Sequence, residues 1–433
     1  MLKFISLTGV FVFVGLAWLF SVNRKEINWR PVILGVLLQF IFGLVVLHPS
    51  MQEFFFAAVN GGVKRLLSFS EDAATFVFGS MEAHEVTRVN LKTGEKTAGL
   101  VIGTVSPSVK NLAFWIIIPT IIFFSSLMSI LYQLGIMQKV VWGVAWVMQR
   151  TMKTTGPESL SAAANIFVGQ TEAPLVIKPY IDRLHGSELH AIMTGGFATV
   201  AGGVMAAYVG FLDQSIPTIA GHLVAASVMS APAALAISKV MYPMPKDATP
   251  IEELDLSVEK PYRNVIEAAA MGASEGMKLV LNVLAMLIAF VGLIAMCNFL
   301  VGFIVIGGEP LTIQSILGYI FAPLAFCMGI PWDEAGLVGE LLGEKLVLTE
   351  FIAYIHLGEM MAQEGSILSE RSGVIASYAL CGFANFASIG IQIGGIGGIA
   401  PNRISELSSM GLRAMIGGSL AAFMTATIAG VLI

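Results

Sequence analysis

Apolar residues in this chain gather into long runs with few charges, separated by short polar links. A run of roughly 20 such residues is long enough to cross a bilayer as a helix. Spanning helices are predicted over residues 2–21, 31–47, 111–134, 188–212, 219–241, 264–306, 373–399 and 407–433. The third continues as an amphipathic extension to Gln149 and Arg150, and the fourth is rich in Gly and Ala. Residues 51–70 alternate polar and aromatic positions and suit a helix lying in the membrane interface. Residues 80–108 carry Thr, Val and Gly without apolar periodicity and read as an exposed loop. Residues 332–343 open a second irregular region, with Glu340, Glu344, Lys345 and Glu350 among short apolar pieces.

One stretch, from Asn165 through Gly169-Gln170-Thr171-Glu172 to Tyr180, breaks the pattern. Apolar residues run up to it from Leu160 and on from it to Ile177, but each arm is well short of a span. Two short arms around a polar tip, over residues 158–183, suggest a re-entrant hairpin whose tip lies near mid-membrane. Irregular backbone is tolerated there only when protein or a water-filled cavity surrounds it. Glu172 at such a tip costs about 2.5–3.5 kcal/mol on insertion scales and is a functional candidate by default. The plainer alternative is a soluble helix–turn–helix with a Glu172–Lys178 pair.

Composition sides with the membrane. Hydrophobic residues make up 56% of the 433 and charged residues 12%, against about 25% charged in a soluble domain. No basic patch with interleaved aromatics is present, so nucleic acid is not an expected partner. The three cysteines, Cys297, Cys327 and Cys381, lie in apolar runs and read as core residues. Arg24, Lys25 and Arg30 place the link 23–30 in the cytoplasm and the N-terminus outside by the positive-inside rule, and the last helix, with no charge after Arg413, is expected to end outside.

A second stretch resembles the first. Gly343-Glu344-Lys345 through Thr349-Glu350 to Tyr354 is followed by Gly382-Phe383-Ala384-Asn385, as the first stretch is followed by Gly196-Phe197-Ala198-Thr199. Paired interrupted segments in two halves are the best sequence pointer to a transporter site. Glu172 and Glu350 then occupy corresponding hairpins, where a carboxylate can accept from a pair of hydroxyls or carry a proton. Salt bridges to Lys178 or Lys345 are the alternative. Asn165, Thr199 and free carbonyls at broken helix ends would suit a hard monovalent cation. Gly390, Gly394 and Gly398 recur every four residues, which predicts close helix packing. His185, His190, His222 and His356 are scattered and read as satisfied polar residues, and no familiar enzyme motif occurs.

The strings Gly169-Gln170-Thr171-Glu172-Ala-Pro, Glu350-Phe-Ile-Ala-Tyr354 and Cys381-Gly-Phe383-Ala-Asn385-Phe-Ala-Ser388-Ile-Gly resemble the concentrative nucleoside transporters. The likeness runs through most of the chain. It implies an all-α polytopic protein of about eight transmembrane helices, with two re-entrant hairpins, an interfacial helix and an inverted internal repeat, assembled as a homotrimer. It further implies that Gln170, Thr171 and Glu172 meet the nucleobase, and that Glu350, Asn385 and Ser388 meet the ribose, with Phe383 and Val204 packing nearby. The sodium position it implies falls on Asn165, the Val168 carbonyl, Thr199 and the Val200 carbonyl. Two positions depart from the family pattern: Thr349 stands where Asn is common, and Glu344 where Gln is common. The second adds a carboxylate that could join in proton coupling.

The expectation is therefore a sodium-coupled nucleoside symporter of the inner membrane, multi-pass and surrounded by lipid, carrying a nucleoside such as uridine by alternating access. No cofactor is expected besides sodium as coupling ion. A proton-coupled symporter is the near alternative, and an intramembrane enzyme using the paired carboxylates a distant one. Expected divisions are 1–152 for the N-terminal, interfacial and third helices and 153–242 for the first repeat. A polar linker with helix six follows over 243–330, then the second repeat over 331–433.

Overall fold

The first two apolar runs form helices where the pattern places them, α1 at Leu2–Leu19 and α2 at Trp29–Leu47. Asn28 caps α2, its side chain accepting the Arg30 N–H at 3.1 Å. This computed structural model describes residues 1–78, 83–89, 96–102, 117–246, 248, 262–306, 308–362 and 367–433. The interfacial segment is longer than its pattern suggested: α3 covers Pro49–Phe78. The expected loop at 80–108 is corrected in part. Strands β1 (Ala83–Val89) and β2 (Lys96–Ile102) pair antiparallel within it, with Val86 opposite Gly99. Their Val, Thr and Ile content favours extended chain even without strict alternation.

The third run is described from Ile117. It forms α4 (Ile118–Gln133), and its extension is a separate helix, α5 (Ile136–Met152), turned by 80°. Next come α6 (Gly156–Ala164) and a 3-10 segment (Ala173–Arg183), either side of the polar tip. The fourth run is broken into α7 (Gly186–Ala198) and α8 (Gly202–Leu212), and α9 follows at Ile219–Met241. Both α6 and α7 start with the same device. Glu158 Oε1 accepts the Thr155 N–H at 2.7 Å, and Glu188 Oε2 accepts the His185 N–H at 2.8 Å, so an otherwise unpaired donor at each helix start finds an acceptor.

Helix six is one continuous helix, α10 (Val265–Val301), and stops short of Ile306, which pairs instead in a two-residue strand turn. A helix not foreseen follows: α11 (Ile313–Cys327), only 15 residues long and with Pro323 inside it. The region expected to be irregular from Trp332 is also helical, α12 (Trp332–Val347), bent by 118° from α11. Its charges mask an ordinary helix: Asp333 and Glu334 lie in the first turn and Lys345 in the last, where the helix dipole favours them. Then come α13 (Glu350–Ala362), a second broken pair α14 (Glu370–Leu380) and α15 (Phe386–Ile399), and α16 (Ile404–Leu432). Hairpin, broken helix and long helix thus occur in the same order twice.

Six helical stretches among the described residues are long and apolar enough to cross a membrane. Burial sorts them: α9 is 89% enclosed over its apolar window, whereas α10 is 6% enclosed. Helices α9 and α16 form the centre against which α6 and the two broken pairs, α7–α8 and α14–α15, are set. Helix α10 leaves Leu281, Ile288, Val291 and Phe299 exposed, an outward face of a kind that water does not favour.

Candidate functional site

The two helix breaks meet. The Phe383 N–H donates to the Thr199 carbonyl at 3.2 Å, joining the gap between α14 and α15 to the gap between α7 and α8. Gly382 sits there with φ +150, and a Cβ on it would lie 2.7 Å from the Phe197 carbonyl. Only glycine permits both the conformation and the approach. The first hairpin's tip is tied to the same place, because the Gly202 N–H donates to the Phe167 carbonyl at 3.1 Å. Polar backbone at the ends of α6, α7, α8, α14 and α15 therefore gathers around one centre.

Asn385 starts α15. Its Oδ1 accepts the Ser388 N–H at 2.8 Å, which turns its Nδ2 toward Glu350 Oε2 at 2.9 Å. On the other side of the carboxylate, the Tyr208 hydroxyl donates to Glu350 Oε1 at 2.8 Å. Glu350 is 4% exposed and Asn385 and Ser388 3% each. Tyr208 is itself fixed by stacking on Tyr354, ring centroids 4.2 Å apart, and Tyr354 donates to the Ser377 carbonyl. The carboxylate is thus oriented by α8 and α15 together. Lys345 does not form the salt bridge of the alternative reading: the buried ammonium donates to the Ala379 carbonyl at 2.8 Å.

Gln170, at the first hairpin's tip, reaches the same helix. Its Nε2 donates to Ser388 Oγ at 3.2 Å and its Oε1 accepts from Gln392 Nε2 at 3.0 Å. Thr171 packs against Gly395, and Val204 is buried on α8, four residues before Tyr208. Phe383 is half-buried at the break. Glu172 stands apart. It is exposed, no ion pair links it to Lys178, and its carboxylate folds over Gly169, where a Cβ would overlap it.

Asn165, at the end of α6, is 1% exposed, and neither Oδ1 nor Nδ2 has a hydrogen-bond partner among the described residues. An unpaired buried polar group costs about 1–3 kcal/mol. The amide lies against Gly195 of α7, where a Cβ would be 3.4 Å from it, and Thr199 Oγ1 donates to the Gly195 carbonyl at 2.9 Å. Val200 is wholly buried beside Thr199. Val168 lies between the Asn165 turn and the tip, its N–H donating to the Ala164 carbonyl at 3.0 Å.

Sequence reasoning passed over Tyr208 and Gln392. A signal existed for both: each lies four residues beyond a named site residue on one helix, Val204 or Ser388, and so on the same face. The extra carboxylate Glu344 is 4% exposed and its oxygens lie 2.8 and 3.0 Å from His356 Nδ1. The expected glycine packing is corrected. Gly390, Gly394 and Gly398 face open space, and it is Gly395 and Gly397 that press on Thr171 and Ile404. The four-residue stripe is real, but it lies on the outer side of α15.

A helical protein with two polar-tipped hairpins and two interrupted helices around a buried polar centre is built as a membrane transporter of small polar solutes. Comparison with known proteins makes the class particular. Residues 8–81 and 222–430 match the family models described as the N-terminus and C-terminus of Na+ dependent nucleoside transporters, and residues 114–215 match a nucleoside recognition model. The chain is 43% identical to a Haemophilus influenzae protein described as an uncharacterized transporter, over 99% of this chain and 97% of that one. It is 37% identical to mouse sodium/nucleoside cotransporter 1, covering 99% of this chain and 64% of that longer protein. With solute carrier family 28 member 3 of Eptatretus stoutii it shares 40% identity, spanning 60% of that protein's length. CNTnw in an inward-facing substrate-bound state superposes with a TM-score of 0.87 at 38% identity, over 100% of this chain and 98% of that one. The chain belongs to the concentrative nucleoside transporters, the sodium-dependent nucleoside transporter family. It is a multi-pass membrane transporter and not an enzyme.

Proposed function

We propose that this chain is a sodium-coupled nucleoside symporter of the inner membrane that takes up nucleosides such as uridine by alternating access. The observation that carries the reading is the meeting of Gln170, Ser388, Asn385 and Glu350 in one hydrogen-bonded centre, with the partnerless amide of Asn165 at the end of α6. An ionised carboxylate has about four acceptor positions. Tyr208 and Asn385 occupy one on each oxygen of Glu350, which leaves one on each for the two adjacent ribose hydroxyls. Gln170, Thr171 and Glu172 face the base, and Val204 and Phe383 supply apolar surface to the sugar and base. Sodium takes the Asn165 side-chain oxygen, Thr199 Oγ1 and the Val168 and Val200 carbonyls. It thereby gives the buried amide the partner it lacks.

In this reading the two hairpins are re-entrant and the two halves are inverted repeats. About eight segments span the bilayer, α3 lies at the interface, and α10 packs within a homotrimer and against lipid. CNTnw is known in inward-facing, outward-facing and intermediate states, a set that supports movement of the hairpin-bearing centre against a fixed scaffold. The link 23–30 faces the cytoplasm, so a cysteine at position 25 should resist impermeant reagent applied to intact cells. Labelling from outside would reverse the topology.

A proton-coupled reading has one observation in its favour, the buried Glu344 beside His356 in the second hairpin. Radiolabelled uridine uptake into proteoliposomes, with sodium and pH gradients imposed separately, decides between them. Accumulation against a gradient that requires sodium supports the first reading. Accumulation driven equally by a pH gradient without sodium overturns it in favour of the second.

A further inference from the structure

We infer that Gln392 is a positioning residue for base recognition: it fixes which end of the Gln170 amide faces the substrate. The inference rests on the reading that Gln170 meets the base. Gln392 is wholly buried on α15, and the atom 3.1 Å from the Met193 carbonyl must be its nitrogen, because a carbonyl oxygen only accepts. Its second N–H goes to Gln170 Oε1 at 3.0 Å. Its own Oε1 has no partner among the described residues, so the two N–H bonds alone choose the orientation. Gln170 is thereby set with its oxygen toward Gln392 and its nitrogen toward Ser388, where one N–H is used at 3.2 Å. One N–H of Gln170 remains uncommitted. A base is therefore met by a donor, which favours an acceptor such as the 4-oxo group of uracil over the 4-amino group of cytosine.

Helix α7 is shaped for this relay. Gly196 leaves room for it, since a Cβ there would lie 2.7 Å from Gln392 Nε2 and 2.9 Å from the Gln170 Cβ. Replacing the orienting amide frees Gln170 to turn over and offer its oxygen instead. Ribose contacts through Glu350 involve neither glutamine and stay as they are.

The test is binding of uridine, cytidine and 2′-deoxyuridine to purified full-length protein carrying Gln392→Met, Gly196→Ala or Gln170→Leu. Gln392→Met should shift the uridine-to-cytidine affinity ratio toward cytidine by about tenfold, the ~1.4 kcal/mol scale of one hydrogen bond. The ratio of uridine to 2′-deoxyuridine, read through Glu350, should move less than the base ratio does. Gly196→Ala should shift the base ratio in the same direction, and it carries the same expectation if Gln392→Met does not yield folded protein. If Gln170→Leu changes the base ratio and neither of the other variants does, Gln392 does not position Gln170 and the inference falls. If Gln170→Leu also leaves the ratio unchanged, the base contact of Gln170 is wrong, and the inference falls with it.

Discussion

The two hairpins carry a carboxylate at corresponding places and treat it in opposite ways. Glu350 is buried and gripped from two helices by Tyr208 and Asn385, and the amide of Asn385 is in turn fixed by a backbone N–H. Glu172 is exposed, folds over Gly169 and forms no ion pair with Lys178. On the first side, too, Asn165 is buried with its amide unpaired among the described residues. The second half is preorganised, which suits a ligand with fixed geometry such as adjacent hydroxyls. In the proposed function the first half is unfinished, and an ion or base completes it on arrival. Repetition of a fold supplied two similar hairpins; Tyr208 and Asn385 grip the carboxylate of one, while that of the other folds over its own glycine.

The strongest way to break this comparison is to remove one charge from each side. Glu350→Gln keeps size but halves the acceptor capacity, and a hydrogen bond to a charged group is worth roughly 1.5–3 kcal/mol. Uridine affinity should fall by about one to two powers of ten, and the gap between uridine and its 2′- and 3′-deoxy analogues should shrink. Glu172→Gln should weaken the ribo and deoxy forms alike. Calorimetric titration of the three ligands measures both, and equal losses for all three in Glu350→Gln would remove the ribose assignment.

Asn165→Leu probes the unfinished side. It removes one oxygen ligand and also the buried unpaired amide, so folding should not suffer while ion binding does. The sodium concentration for half-maximal uridine uptake should rise by about tenfold, ~1.4 kcal/mol, with uridine binding at saturating sodium little changed. A sodium dependence that stays where it was would place the ion elsewhere.

Much of this arrangement was legible in the chain. The runs at α1, α2, α9 and α16 are long, apolar and bounded by polar links, so length alone located them. The tip Gly169–Glu172 stood out because charge and glycine interrupt apolar sequence. What stayed hidden was hidden for physical reasons. Helix α12 carries Glu340, Glu344 and Lys345, and charge at helical spacing inside a membrane protein looks like loop until its partners are seen. His356 answers Glu344, and the Ala379 carbonyl answers Lys345. Tyr208 and Gln392 matter through contacts across more than 140 residues of sequence, and no local pattern announces such a partner. The stripe at Gly390, Gly394 and Gly398 misled because spacing gives a shared face without saying what lies opposite it.

Tyr208→Phe sharpens the comparison with a smaller effect. The ring and its stack on Tyr354 survive, and Asn385 still holds Glu350, so only one of two grips is lost. Uridine affinity should drop by about threefold, ~0.7 kcal/mol, and discrimination against 2′-deoxyuridine should weaken in proportion. Loss as great as that of Glu350→Gln would mean that Tyr208 touches the ligand itself. No loss would mean that Asn385 alone orients the carboxylate.

The smallest effect belongs to a lysine. Lys178 and Lys345 both lie close to a hairpin carboxylate in sequence, and a salt bridge is the alternative reading for each. The structure makes them unlike: Lys345 is 1% exposed with a backbone acceptor, whereas Lys178 is exposed and forms no ion pair with Glu172. Surface substitutions away from special contacts stay within about 0.5 kcal/mol, or roughly a factor of two in affinity. Lys178→Gln should therefore leave uridine affinity, sodium dependence and thermal stability within that margin. Measured beside Glu172→Gln, it isolates the carboxylate. If the two variants weaken uridine binding equally, they act as a pair in the working transporter, and the open first half closes through Lys178 when substrate arrives.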